Sequence, residues 1–386
     1  MRPAQRMSAL PPYVFAKLSA KVNELLSQGA DVIRLDIGSP DLPPAPHIIE
    51  AMERAIRNPG KHGYPGFHGT PAFRQAVADY YASRFHVKLD PTREIVGLLG
   101  SKEGIANMAL AWLDPGDLAL VPDPGYPTYT AGTRLAGATI YPLPLLEEHD
   151  FLPNLRAIPA DVADRARLMW LNYPNNPTGA VASLEFLAEA VDFCRQHDIL
   201  LCFDAPYCDI CFDGYAAPSI LQIPGAKEVA IEFNSLSKSY NMAGWRVGMA
   251  VGNPIAVEAL ARVKTNIDSG IFLAIQEAAI AALTGDQSWL KERNAIYQER
   301  RDLIIHTLNE IGMGAAVPQA GLYVWSRIPA GYTSAEVTER LLEEAHVSVT
   351  PGTAFGSHGE GYLRLSLGAS TDRVREAMER IRQLRF

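Results

Sequence analysis

Short apolar runs alternate with helical patterns along most of this chain, and that alternation restricts it to an α/β fold built on a largely parallel sheet covered by helices. Strands paired in parallel need a crossover between them, and a helix is the usual one. The apolar runs predict strands over 94–99, 118–121, 139–143, 167–171, 200–203, 229–233 and 246–251. Between them lie helical stretches such as 184–197, with Leu184, Leu187, Val191 and Cys194 on one face, and residues 255–283 read as helical.

A second block follows. Residues 287–311 predict one long helix, its apolar stripe running through Leu290, Tyr297, Ile304, Leu308 and Ile311. After it come strand-like 321–328, a helix over 335–345, strand-like 362–366 and a closing helix from Asp372. The expected organisation is a large domain over 47–285 and a small α+β domain formed by 1–46 together with 286–386. A chain of 386 residues is long enough for two such cores.

The formal net charge of -8 argues against a nucleic acid or an anionic membrane as partner, since either would repel the chain. The first residues, MRPAQRMSALPPYVF, lack the apolar run of a signal peptide. No stretch reaches the ~18 apolar residues of a membrane span, and the best, 271–283, contains Gln276 and Glu277. Cys194, Cys202, Cys208 and Cys211 sit close together, but the Cys208-x-x-Cys211 pair has no second ligand pair at zinc spacing, so reduced thiols and no metal are expected. The expected compartment is the cytoplasm.

Chemistry concentrates at strand ends. Ser235-Leu-Ser237-Lys238 follows a predicted strand, where open α/β sheets bind ligands, and Arg246 stands eight residues beyond Lys238. Hydroxyls and a guanidinium suit a phosphate, and a neutral lysine amine condenses with an aldehyde. Asp204, in Phe-Asp204-Ala-Pro-Tyr207, puts a carboxylate at another strand end, where it could serve a pyridine nitrogen or simply cap a turn. Asn172-Tyr-Pro-Asn-Asn176-Pro-Thr-Gly is a turn-rich run, Gly100-Ser101-Lys102-Glu-Gly opens a helix whose N–H groups suit a phosphate, and Asp123-Pro-Gly-Tyr126 offers an aromatic face.

In this order the segments resemble the class I and II aminotransferases, the fold-type-I pyridoxal-phosphate enzymes, over nearly the whole chain. The resemblance implies that Lys238 carries pyridoxal 5'-phosphate, that Asp204 and Tyr207 face its ring nitrogen and phenolic oxygen, and that Ser101, Lys102, Tyr126, Asn176, Ser235, Ser237 and Arg246 bind it. It further implies a homodimer in which Tyr64 reaches the neighbouring subunit's phosphate. On the donor side it implies Tyr13, Gly38, Lys102, Tyr126 and Asn176, with Arg364 holding the α-carboxylate. The partners are then small molecules, an amino acid and a 2-oxo acid.

Within the family the GSKEG and DPGYPTY runs look most like members acting on LL-diaminopimelate, so that donor is expected, with 2-oxoglutarate as acceptor and with alanine or aspartate as alternative donors. One departure is Phe67, where plant-type members carry a glutamate facing the donor's distal ammonium. A pyridoxal-phosphate lyase would share every cofactor residue. A non-catalytic regulator on the same fold would need to bind DNA, which the acidic balance opposes.

Overall fold

A computed structural model describes residues 1–10 and 14–386. Its centre is a seven-stranded sheet. The strands are β1 (Ile95–Leu98), β2 (Leu118–Asp123), β3 (Thr139–Pro144), β4 (Ala166–Asn172), β5 (Leu200–Asp204), β6 (Ala230–Ser235) and β7 (Gly248–Gly252), arranged in the order β1-β7-β6-β5-β4-β2-β3. β3, β2, β4, β5 and β6 run parallel, whereas β7 is antiparallel to both β6 and β1. The exception has a local cause. Residues 236–247 turn back at the sheet edge instead of crossing its face, which leaves Lys238 and Arg246 at the C-terminal end of β6.

The inner strands are buried on both faces, which is why they read as unbroken apolar runs rather than alternating ones. Trp170, Phe233 and Met108 fill one side, and Met169, Phe203 and Leu187 the other. All four cysteines are free thiols, Cys211 alone being partly exposed. No described helix is long and apolar enough to cross a membrane.

The second block is an antiparallel three-stranded sheet of β8 (Tyr323–Arg327), β9 (Thr350–Pro351) and β10 (Tyr362–Ser366), in the order β9-β10-β8. The long helix spans Trp289–Glu310 and buries Tyr297, Ile304 and Leu308 from the expected stripe. It also buries Arg293, Arg300 and Arg301, which the apolar pattern did not reveal. Near the N-terminus, Ile33–Arg34 pairs in parallel with Val347–Ser348. Leu35 accepts a bond from Ser366 N at 2.7 Å, and Arg300 grips Asp41 through two bonds of 2.7 and 3.0 Å. Residues 33–41 thereby run along the second block.

One expectation fails. The stretch 255–283 is two helices, Pro254–Thr265 and Leu273–Thr284, with an irregular segment between them. Asp268 makes the break. Its carboxylate takes two bonds of 2.7 Å from Lys264 Nζ and a third, also 2.7 Å, from Gly270 N. Gly270 has a left-handed φ of 89°, and a Cβ there would lie 2.0 Å from Gly66 O. Ile267 and Ile271 keep the apolar rhythm going through the turn, so periodicity alone misses it.

Lys264 is fully buried, with Asp268 in contact and Glu103 at 3.8 Å. Asp268→Ala should therefore cost about 3–5 kcal/mol by leaving a buried ammonium without its main partner. The double change Lys264→Met with Asp268→Ala should recover much of that loss. Urea unfolding of the two variants measures the difference.

Candidate active site

The C-terminal ends of β2, β4, β5 and β6 open into a cavity of about 400 Å³. Gly38, Ser101, Lys102, Tyr126, Asn176 and Asp204 line it, as do Tyr207, Ser235, Ser237, Lys238, Arg246 and Arg364. Two expected residues are not among them. Tyr64 is 90% exposed and away from this chain's cavity, and Tyr13 lies outside the described residues.

Asp204 ends β5 and is buried. Its Oδ2 accepts from Tyr129 Oη at 2.7 Å, while Oδ1 has no hydrogen-bond partner among the described residues. Asn172 donates to the Asp204 carbonyl at 2.7 Å and fixes the strand end. Burial pushes the carboxyl up to about 7, against the opposing pull of the Tyr129 bond. Tyr129 is itself stacked on Trp170, with ring centres 4.9 Å apart. The acid is thus rigidly aimed and half-partnered, and a protonated ring nitrogen would complete it.

Lys238 sits in the short helix Leu236–Ser239 after β6 and donates to Gly38 O. Burial first, then the charges of Arg364 and Arg246, bring its ammonium down to about 8. Arg293, from the long helix, braces the same loop by donating to Ser239 O, and donates to Asp209 O at 2.7 Å. Gly38 must be glycine because a Cβ would stand 2.2 Å from Tyr323 Oη. Tyr323 Oη in turn shares a 2.9 Å hydrogen bond with Tyr207 Oη.

Arg246 adopts left-handed backbone, φ 58°, which turns its side chain back toward Ser237 Oγ at 3.4 Å and Leu99 O at 3.3 Å. It passes over Gly100, where a Cβ would be 2.4 Å from Arg246 Nη2. Among the described residues no side chain caps the helix Ser101–Trp112 that Gly100 opens, so its first N–H groups suit an anion. Ser235, Ser237, Arg246 and this helix start form a phosphate-shaped cradle, and Asp204 answers a pyridinium. The donor set fits pyridoxal phosphate.

Arg364 lies across the cavity on β10, buried between the rings of Tyr323 and Phe355 at 4.3 and 4.7 Å. It donates to Asn176 Oδ1 at 2.9 Å and to Asp36 O at 2.8 Å. Asn176 is held by its own N–H to Asn172 Oδ1 at 2.7 Å. Lys102 stands 6.0 Å from the ring centre of Tyr126. The sequence reading did not single out Tyr129, Tyr323, Arg34 or Asp36. Tyr129 had a signal, lying three residues after Tyr126 in the same motif; Tyr323 had none.

The sequence model of the family described as aminotransferase class I and II matches residues 30–381. The LL-diaminopimelate aminotransferase of Moorella thermoacetica is 54% identical, over 100% of this chain and 98% of that protein. That of Desulforudis audaxviator is also 54% identical, covering 98% of this chain and 97% of its own. Among solved structures, substrate-bound BacF from Bacillus subtilis superposes with a TM-score of 0.94 at 39% identity, over 99% of this chain and 97% of that one.

Asp204 binds its proton more readily in the folded chain than in the unfolded one, so it lowers stability as pH rises from its ordinary 3.8 to about 7. In ligand-free protein Asp204→Asn should therefore stabilise, and more at pH 8 than at pH 5. Glu232, pushed up to about 7 by its own burial, is common to both proteins and cancels. Denaturant unfolding at the two pH values is the measurement, and an equal gain at both would contradict the assignment.

Proposed function

The chain belongs to the class I and II aminotransferases, and from that premise we propose that it moves the amino group of LL-diaminopimelate onto 2-oxoglutarate with pyridoxal 5'-phosphate as cofactor. The observation that carries this reading is one cavity holding the half-partnered Asp204 carboxylate, the desolvated Lys238 amine and the buried Arg364 guanidinium. The names of the relatives, at 54% identity over essentially full length, support the donor.

When bound, pyridoxal phosphate supplies an aldehyde for the amino group and a ring that draws off the electron pair left by the departing Cα proton. Ser235, Ser237, Arg246 and the N–H groups at Ser101 hold the phosphate. Asp204 keeps the ring nitrogen protonated through Oδ1 while Tyr129 steadies Oδ2. Tyr207 and Asn176 would hold the phenolic oxygen, and Tyr126 would cover the ring. Arg364 holds the donor's α-carboxylate with Asn176 beside it. Lys238 would hold the cofactor's aldehyde carbon, and its neutral amine is the base that would take the proton from the donor's Cα. With an ammonium brought down to about 8, a usable neutral fraction exists near neutrality. With the oxo acid bound, the same amine returns a proton to the acceptor's Cα.

Lys102 offers a cation for a distal carboxylate, with Tyr13 expected nearby. The exposed Tyr64 suits a role in a partner's phosphate site, which supports a homodimer. Phe67 favours a second reading, since a phenyl ring cannot pair a distal ammonium; the donor would then be alanine or aspartate.

Two outcomes are expected. Lys238→Ala should lose ~10²-fold or more in rate, and borohydride reduction of the wild-type holoenzyme followed by peptide mapping should label Lys238. Labelling of another lysine would refute the assignment. In a donor panel against 2-oxoglutarate, LL-diaminopimelate should lead and a new amino acid should form without ammonia. Alanine far ahead with diaminopimelate inert would end the reading, and ammonia release would point to a lyase.

A further inference from the structure

Among the described residues, two carboxylates line the cavity, Asp36 and Asp204, against five cations: Arg34, Lys102, Lys238, Arg246 and Arg364. Asp204 is turned to Tyr129 and the ring end of the site. A donor with an amino group at each end brings a second ammonium into this cationic space, and Asp36 is the acid left to meet it.

Asp36 does not stand alone. Its Oδ1 accepts from Arg34 Nε and its Oδ2 from Arg34 Nη2, both at 2.7 Å. That pairing occupies one side of each group. The Nη1 hydrogens and the second lone pairs of the carboxylate oxygens remain for a further partner. The backbone beneath is pinned, with Leu35 N donating to Ser348 O at 2.8 Å and Ser366 N to Leu35 O at 2.7 Å. It also runs between the two groups assigned to the donor's reacting end. Arg364 binds Asp36 O, and Lys238 binds Gly38 O.

We propose that Arg34 and Asp36 together read the donor's distal centre, Arg34 joining Lys102 on its carboxylate and Asp36 taking its ammonium, an assignment that rests on the reaction proposed above. A neutral ion pair meets a neutral zwitterion head to tail, so all four charges are answered. A donor with a lone distal carboxylate gains Arg34 but is repelled by Asp36, and one with a lone ammonium meets the reverse. The pair also sees handedness. A distal carbon held by its chain, its ammonium and its carboxylate is fixed at three points, and the opposite configuration can satisfy two of them at once. The pair therefore favours the LL isomer over the meso isomer, whose distal centre is inverted.

The test compares wild-type holoenzyme with Asp36→Asn and Arg34→Met, following the donor half-reaction without acceptor for LL-diaminopimelate, meso-diaminopimelate and glutamate, since glutamate and 2-oxoglutarate exchange without net reaction. It measures kcat/KM and, from the cofactor's absorbance, Kd. In each variant the LL-to-meso ratio of kcat/KM should fall ~10–100-fold, the loss of one charge-assisted hydrogen bond. Asp36→Asn should also lower the LL-to-glutamate ratio, while Arg34→Met should weaken both of those donors. If either variant fails to fold, as judged by its thermal midpoint, Arg34→Lys carries the comparison. It should keep part of the carboxylate affinity and still lose the LL-to-meso preference. Unchanged ratios in a folded variant that turns over LL-diaminopimelate overturn this assignment alone. Wild type inert toward LL-diaminopimelate overturns the proposed reaction with it.

Discussion

Parallel strands cannot be joined by a tight turn, so each must hand the chain to a segment that crosses back over the sheet before the next strand begins. The consequence is that every strand leaves the sheet along one edge, where backbone groups run out of ladder partners and loops gather. β2, β4, β5 and β6 obey this rule here and deliver Tyr126, Asn176, Asp204 and Lys238 to one cavity. The second block supplies the opposite wall. Arg364 on β10 is tied to both walls, by Asn176 on one side and Asp36 on the other.

Within that cavity burial acts on two groups in opposite directions. It raises the Asp204 carboxyl to about 7 and lowers the Lys238 ammonium to about 8. Each is thereby less committed to its charge than it would be in water. Neither is satisfied by neighbours alone: Asp204 keeps one oxygen without a partner, and Lys238 is set among arginines rather than acids. A ligand bringing a ring cation and an aldehyde relieves both. The surrounding packing keeps the groups from relaxing, with Tyr129 stacked on Trp170 and Arg293 threaded against the carbonyls of the Lys238 loop.

The sheet was legible because a strand buried on two faces is largely apolar, and its inner strands carry that mark, whereas the edge strand Thr139–Pro144 is mostly exposed. The sheet side of the cavity was legible for a related reason, its lining residues following strand ends in short, type-restricted runs such as Ser235-Leu-Ser-Lys238. The break at Asp268 was not, because it is made by polar bonds while the apolar rhythm continues through Ile267 and Ile271. Arg34 and Asp36 were hidden too. Opposite charges two apart in an extended stretch usually lie on a solvated face, and only the pairing with Val347–Ser348 turns them inward to a cavity. Tyr323 is invisible until its ring is seen to dictate the glycine at position 38.

That last pairing has a consequence in time. The contact between Arg364 and the Asp36 carbonyl spans 328 positions of chain, whereas Gly100, Lys238 and Arg246 all belong to one continuous middle stretch. A chain emerging from the ribosome starts with its N-terminal end. Residues 33–38 therefore appear before the whole central sheet, yet they have no strand to join until Val347 and Ser366 follow. The phosphate cradle can assemble while they wait. Synthesis thus orders the two walls of the cavity, the sheet side first and the side of Arg364 and Asp36 last, and a nascent chain cannot close the cavity until Ser366 is made.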